Sequence, residues 1–271
     1  DGAAVQELNS YISDNGFGDS DLTVLEALGG PRQRVTAFDQ LSEAVQHPVC
    51  VAINMKGSEP AISKASGKDD ALFANDGQIT KRPIRALTLS ALAPKFGEHL
   101  WDLGTGSGSI AIEWLLSHPS VTASAVEANS ERAARAAHNA MTLGVERLEV
   151  ITAKSIDVLD DLPKPEVVFV GGGLTQELLD ALWNIMPVGC RFVTNAVTLE
   201  SEVIVAQAHA AKGGELMRIE IANSKPLGTK RGWSSAYPIV QWSVTLEQFN
   251  HLHHPGSIIF LADFVDTWRA A

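Results

Sequence analysis

From residue 79 onward the apolar positions fall into two rhythms. Short runs of consecutive apolar side chains at 99–103, 121–126, 148–152, 166–170 and 191–194 read as strands buried on both faces. Between them apolar residues recur at helical spacing, as at Ile84, Leu87, Leu89 and Leu92, at Ile110, Trp114 and Leu115, and through 130–143, 176–186 and 199–211. Ser130 is placed to cap the helix over 130–143 and Gly144 to end it. Strand and helix alternate strictly, which predicts an α/β domain built on a mostly parallel, doubly wound sheet with helices on both faces. Two late runs without an intervening helix, 216–222 and 239–246, predict an antiparallel edge.

The front of the chain is patterned differently. Residues 1–66 hold a helix-like stretch (Val5, Leu8, Tyr11, Ile12), a short run at 23–25 and an apolar run at 49–53, which predict a smaller segment of alternating α and β elements. Residues 56–68, rich in Gly, Ser, Lys and Pro, have the composition of an exposed linker. The expected organisation is therefore a smaller domain over 1–66, a main domain over 70–246 and a tail over 247–271.

Composition narrows the function. With 45% hydrophobic and 20% charged residues and no apolar run near the ~18 that a membrane helix needs, neither a disordered nor a membrane-spanning chain is expected. The net charge of −11 argues against a nucleic acid held along a broad basic face. Cys50 and Cys190, far apart, form neither a disulfide framework nor a zinc ligand set, which fits a reducing compartment such as the cytoplasm. The chain opens on Asp1 rather than Met, which reads as a fragment or a processed product.

The sharpest chemical signal is Trp101-Asp102-Leu103-Gly104-Thr105-Gly106-Ser107-Gly108-Ser109, between a strand and a helix. Three glycines at the carboxyl end of a strand let the backbone turn sharply and leave room for a ligand. The nicotinamide fingerprint Gly-x-Gly-x-x-Gly needs a glycine where Ser109 stands, so a dinucleotide is disfavoured. Glu127 ends the second strand, where a carboxylate can accept both ribose hydroxyls of an adenosine. Alone, the loop could be only a turn and Glu127 only a cap for the helix at Ser130; together they point to a nucleoside cofactor.

This constellation resembles the S-adenosylmethionine-dependent methyltransferases of Rossmann-like fold. With Asp76-Gly77-Gln78-Ile79-Thr80-Lys81-Arg82, the stretch 104–113, Val170-Gly171-Gly172-Gly173 and Asn195-Ala196-Val197-Thr198-Leu199-Glu200, the chain over about 70–246 is similar to the carbon-15 methyltransferase and decarboxylase domains of the precorrin methyltransferases, in cobalamin biosynthesis. The resemblance implies S-adenosyl-L-methionine as cofactor, no metal, and a precorrin tetrapyrrole as substrate. It also implies a homo-oligomer, a tetramer in that family. It assigns cofactor contacts to Thr80, Gly104, Thr105, Gly106, Ser107, Gly108 and Glu127, with Ser155 added from the loop after the third strand. Residues 16–26 and 28–32 resemble the closing part of the carbon-5 methyltransferase domain that precedes this one in a bifunctional enzyme, which implies that 1–66 is a partial α/β domain, the C-terminal lobe of that tetrapyrrole methyltransferase. The chain is therefore expected to methylate carbon 15 and decarboxylate a ring acetate, but not to methylate carbon 5.

A precorrin carries many carboxylates, so an acidic protein that binds one must gather cations locally. Two clusters qualify: Lys81, Arg82 and Arg85 beside Thr80, and Lys225, Lys230 and Arg231 in a loop between the last strands. Each could equally be a solvated charged face. Asn195, Thr198 and Glu200 follow the fifth strand and are candidates to line the substrate pocket, although Asn195 could instead satisfy backbone groups at a helix start. Asp76 is either a substrate-side carboxylate or a turn former, and Trp233 and Trp242 are expected in core or edge packing. His251, His253 and His254 have one conceivable metal geometry but no partners at ligand spacing.

Two rival functions remain open in the sequence. One is a protein carboxyl methyltransferase of the isoaspartate-repair kind, against which the basic stretch 225–231 favours a small polyanion. The other is a noncatalytic adenosine-binding subunit. Nucleic-acid amino methyltransferases are disfavoured, because Phe169-Val170-Gly171-Gly172-Gly173 stands where their Asn/Asp-Pro-Pro-aromatic motif belongs.

Overall fold

The computed structural model describes residues 2–42, 44–57 and 62–247, so the histidines at 251, 253 and 254 lie outside the described residues. The chain divides into two compact units, Asp1–Ile62 and Ser63–Ala271. The first contains α1 (Gly2–Ile12) and the antiparallel strands β1 (Asp21–Glu26), β2 (Arg34–Ala37) and β3 (Val49–Asn54), ordered β2-β1-β3. Val5 and Ile12 of α1 and Leu22 and Val24 of β1 are its buried apolar side chains. Buried Glu26 holds the sheet end by accepting from Arg34 Nε at 2.5 Å and from the Gln46 amide at 2.6 Å.

The second unit runs α2 (Arg82–Leu92), β4 (His99–Leu103), α3 (Ser109–Ser117), β5 (Thr122–Glu127), α4 (Ser130–Thr142), β6 (Glu149–Thr152), β7 (Val167–Val170), α5 (Gln176–Ile185), β8 (Arg191–Ala196), α6 (Leu199–Lys212) and β9 (Glu215–Ile219). It ends with β10 (Ala222–Leu227), β11 (Lys230–Ser235) and β12 (Ile239–Thr245). Seven strands form one sheet in the order β6-β5-β4-β7-β8-β12-β9. The first five are mutually parallel, and β12 runs antiparallel to both β8 and β9. Only one strand of the expected antiparallel edge is therefore reversed.

The pattern of the sequence explains the layers. Along β4 and β7 successive side chains enter opposite cores, so every position from Leu100 on β4 and throughout β7 is buried. Leu100, Val167 and Phe169 pack under Leu89, Leu92, Ile110 and Trp114 of α2 and α3. Leu103, Val168 and Val170 pack with Leu178, Leu182 and Val205 of α5 and α6, where Trp242 stacks on Trp183 at 5.7 Å between ring centroids. Trp242 is a core residue as expected, whereas Trp233 is 80% exposed and packs in neither core.

Two local readings need correction. The cap of α4 is Asn129, whose side chain accepts from the Glu131 and Arg132 amides at 2.9 and 3.1 Å, and Ser130 is the first helical residue. The stretch 225–231 is not a loop: it belongs to the hairpin β10–β11, a separate two-stranded sheet. What positions a site is the strand order. The chain leaves β4 toward β5 and β6, then returns to β7 on the other side of β4, which opens a crevice at the carboxyl ends of β4 and β7.

Candidate functional site

That crevice is floored by the glycine loop 104–108. Gly104 has φ of +74°, and a Cβ there would lie 2.6 Å from the Gly172 carbonyl oxygen, so the turn and the close approach of 171–173 both require glycine. Gly106, at φ +59°, meets the requirement differently. A Cβ on it would have nothing nearer than the Gln78 carbonyl oxygen at 3.9 Å, so the backbone presents a bare face. The Gly104 and Thr105 amides both donate to the Val126 carbonyl, at 2.9 and 3.1 Å, which ties the loop to the end of β5.

Two carboxylates address this loop. Glu127, buried at the end of β5, accepts from the Gly106 amide at 2.9 Å and from the Asn129 amide at 3.0 Å, one on each oxygen. It faces the loop and does not cap α4. Each oxygen keeps a further lone pair, so the group can still accept hydroxyl donors. Asp102, at the end of β4, accepts through Oδ2 from Thr105 Oγ1 at 2.6 Å and from the Ala111 amide at 3.1 Å. Its Oδ1 and the hydroxyl of Ser107 are, among the described residues, the two buried side-chain polar atoms without a partner. Burial, with the nearby Glu127 charge, pushes the Asp102 carboxyl up to about 6. Sequence reasoning quoted Asp102 within the motif but gave it no role. The available signal was an acid at a strand end directly ahead of Gly-x-Gly-x-Gly.

Residues 73–81 run across the loop as a strap. Asn139 of α4, buried, donates to the carbonyls of Ala74 and Ser107, both at 2.9 Å, and accepts from the Ala74 amide at 2.9 Å. Asp76 pairs with Arg132 Nε at 2.8 Å and Arg135 Nη1 at 3.2 Å, and the hydrogen bonds from Arg132 first, then from the Gln78 amide and Arg135, hold its carboxyl down at about 2. Thr80 is half-buried. Ser155 is half-buried just past β6, whose Thr152 is in register with Glu127, so it stands on the same rim of the sheet.

The basic candidates separate. Arg85 is fully buried: it reaches Glu113 at 2.6 Å, Asp70 at 3.0 Å, the Lys68 carbonyl at 2.6 Å and the Thr80 carbonyl, with its guanidinium 4.8 Å over the Phe73 ring. Two carboxylates neutralise it and no face is left for a substrate, so Arg85 does not bind substrate as the sequence suggests but ties the start of α2 to the core. Lys81 and Arg82 are exposed at the start of α2. Arg231 is exposed on β11 with Lys230, and Lys225 is exposed on β10. Asn195 is buried, donates to Thr88 Oγ1 at 2.8 Å and accepts from Gln241 Nε2 at 2.9 Å, an internal triangle and not a helix-start contact. Thr198 caps α6, and Glu200 is exposed in its first turn. Among the described residues no group of three His, Cys, Asp or Glu could hold a metal.

The family described as precorrin methyltransferase domain matches residues 71–246. The C-terminal domain of precorrin-6Y C5,15-methyltransferase from Rhodobacter capsulatus is 48% identical with a TM-score of 0.66, covering 68% of this chain and all of that one. A precorrin-6Y C(5,15)-methyltransferase (decarboxylating) from Sinorhizobium sp is 46% identical over 251 residues, 90% of this chain and 61% of its own length. A cobalt-precorrin-6B C(15)-methyltransferase (decarboxylating) from Salmonella typhimurium is 27% identical over 191 residues, 68% of this chain and 97% of its own length. The chain thus spans about three fifths of the length of the longer curated relatives it matches.

Proposed function

This chain belongs to the precorrin methyltransferase domain family, and on that premise we propose that residues 63–247 are an S-adenosyl-L-methionine-dependent carbon methyltransferase. Its substrate is a precorrin, methylated at carbon 15 and decarboxylated at a ring acetate, within cobalamin biosynthesis and in the cytoplasm. The observation that carries this is the glycine loop: two unpartnered buried polar atoms, on Asp102 and Ser107, flank a bare Gly106 beneath a carboxylate with lone pairs to spare.

These residues fit the cofactor. Glu127 would accept the ribose hydroxyls, Asp102 Oδ1 would take a cationic amino group, and Thr80 and Ser155 would close the sides. When bound, S-adenosylmethionine supplies an electrophilic methyl on a sulfonium. The chain's part is to orient and to exclude water, since an electron-rich tetrapyrrole carbon is already a nucleophile. Loss of carbon dioxide leaves an electron pair that the macrocycle can delocalise, so the protein need only hold the carboxylates. Lys81, Arg82 and Arg231 are the cations proposed for that work, with Glu200 at the rim; Asn195 acts from behind, through Thr88 and Gln241. Self-association belongs to the same reading, because the hairpin β10–β11 and the residues after it expose Leu227, Trp233 and Tyr237.

Mass spectrometry of products from S-adenosylmethionine and a precorrin-6B tests the proposal. One added methyl with loss of carbon dioxide is the expected product. Methyl transfer to protein carboxyls instead, or binding of the cofactor without turnover of any precorrin, would reject it in favour of the two rivals.

A further inference from the structure

The strap over the glycine loop is fastened unevenly. Its ends are held from the interior: Asn139 grips both backbone groups of Ala74 together with the Ser107 carbonyl, and Arg85 grips the Thr80 carbonyl. Between them stands an exposed tip, residues 75–78. Inside the tip, Asn75 Oδ1 accepts from the Gly77 amide at 3.0 Å and Asp76 Oδ1 from the Gln78 amide at 3.1 Å. These bonds shape the turn but attach it to nothing. Gly77, at φ +93°, has open space where a Cβ would be, and residues 75–78 are all exposed. Yet the tip supplies the one carbonyl, that of Gln78, that overhangs the bare face of Gly106.

Among the described residues, Asn75 Nδ2 ties the tip back along the strap to the Phe73 carbonyl at 2.8 Å, and its attachment to another element is the pairing of Asp76 with Arg132 and Arg135. Both arginines stand on α4, whose Ala136 lies 3.1 Å from where a Cβ on Gly108 would be, so the helix is fixed against the loop. Both use the same oxygen, Oδ2, while Oδ1 serves the turn. Latch and turn are thus carried by different atoms of one side chain.

We propose that Asp76 is a positioning residue, a latch that holds the strap tip over the cofactor and sets how long the cofactor stays bound. The proposal rests on the reading of the loop as the S-adenosylmethionine site. An Asp76→Asn variant keeps an oxygen for the Gln78 amide but loses the charge that draws two guanidinium groups, so the turn survives and the latch is weakened. Because the pair is partly exposed, it is screened by salt.

The test measures S-adenosylhomocysteine binding to the full chain by calorimetry and by stopped-flow displacement. Dissociation should be about fivefold faster in Asp76→Asn and in Arg132→Gln, with association changed less than twofold, and the double variant should add little to either single one. Raising the salt should speed dissociation from the wild type and leave Asp76→Asn nearly unchanged. If Asp76→Asn unfolds, an Arg132→Gln/Arg135→Gln variant, which leaves the strap sequence intact, carries the same expectation. Equal dissociation rates in wild type and variants would overturn the latch while leaving the cofactor reading in place. A wild type that does not bind S-adenosylhomocysteine would remove both.

Discussion

At the scale of the residue, Asp102 shows how a binding site can be a local liability. A carboxyl raised from 3.8 to about 6 holds its proton more tightly in the folded state than in the unfolded one. The unfolded group therefore ionises between about pH 4 and 6 while the folded one resists, and stability falls across that window and stays lower above it. By that shift the loss is about 3 kcal/mol. Asp102→Asn can still accept from Thr105 and Ala111, so it should unfold at a higher temperature than the wild type at pH 8, with the gain vanishing near pH 4. The same variant should bind S-adenosylhomocysteine more weakly at pH 8, having lost the charge that meets the ligand's ammonium. Thermal unfolding across pH, with and without ligand, measures both, and a variant less stable at pH 8 would rule out the assignment. The motif was plain in the sequence, but this consequence was not, because burial of Oδ1 is set by how β4, α3 and the loop pack. The burial of Arg85 is hidden from the sequence for the same reason: its neutralising partner Glu113 is 28 positions away and meets it only through the fold.

At the scale of the element, the alternation of apolar runs and helical spacings locates the strands and helices of the sheet to within about three residues, the largest miss being β9, read to residue 222 but ending at Ile219, since each buries at least one face and so leaves a periodic trace. The hairpin β10–β11 left no such trace. Every residue of β10 is exposed, and Pro226, Gly228 and Gly232 interrupt what pattern there is. A strand without a buried side has no reason to alternate, and the segment therefore reads as a basic loop. The same exposure makes it testable as a contact surface. Replacing Trp233 and Leu227 by Glu should lower the molar mass seen by light scattering toward that of one chain, without changing the unfolding temperature by more than a few degrees. An unchanged mass would place any association elsewhere.

At the scale of the whole molecule, the glycine loop, the strap, both apolar cores and all seven strands of the sheet lie within residues 63–247. A protein of those residues alone should unfold cooperatively and bind S-adenosylhomocysteine within about threefold of the full chain, because Val126, Glu127, Asn139 and Gly172, which shape the loop, all lie within 63–247. A large loss of affinity would show that the first unit supports the site. Within the second unit, β12 has a further consequence. It is the last strand of the described sequence, yet it sits inside the sheet, paired to β8 on one side and β9 on the other. As the chain emerges during synthesis, β9 has no neighbour to join and Phe192 and Trp183 have no Trp242 to close on until residues 239–245 are free of the ribosome. Translation order therefore leaves one edge of this sheet open until almost everything else in the unit has been made, and a product cut short before residue 239 would carry that open edge permanently.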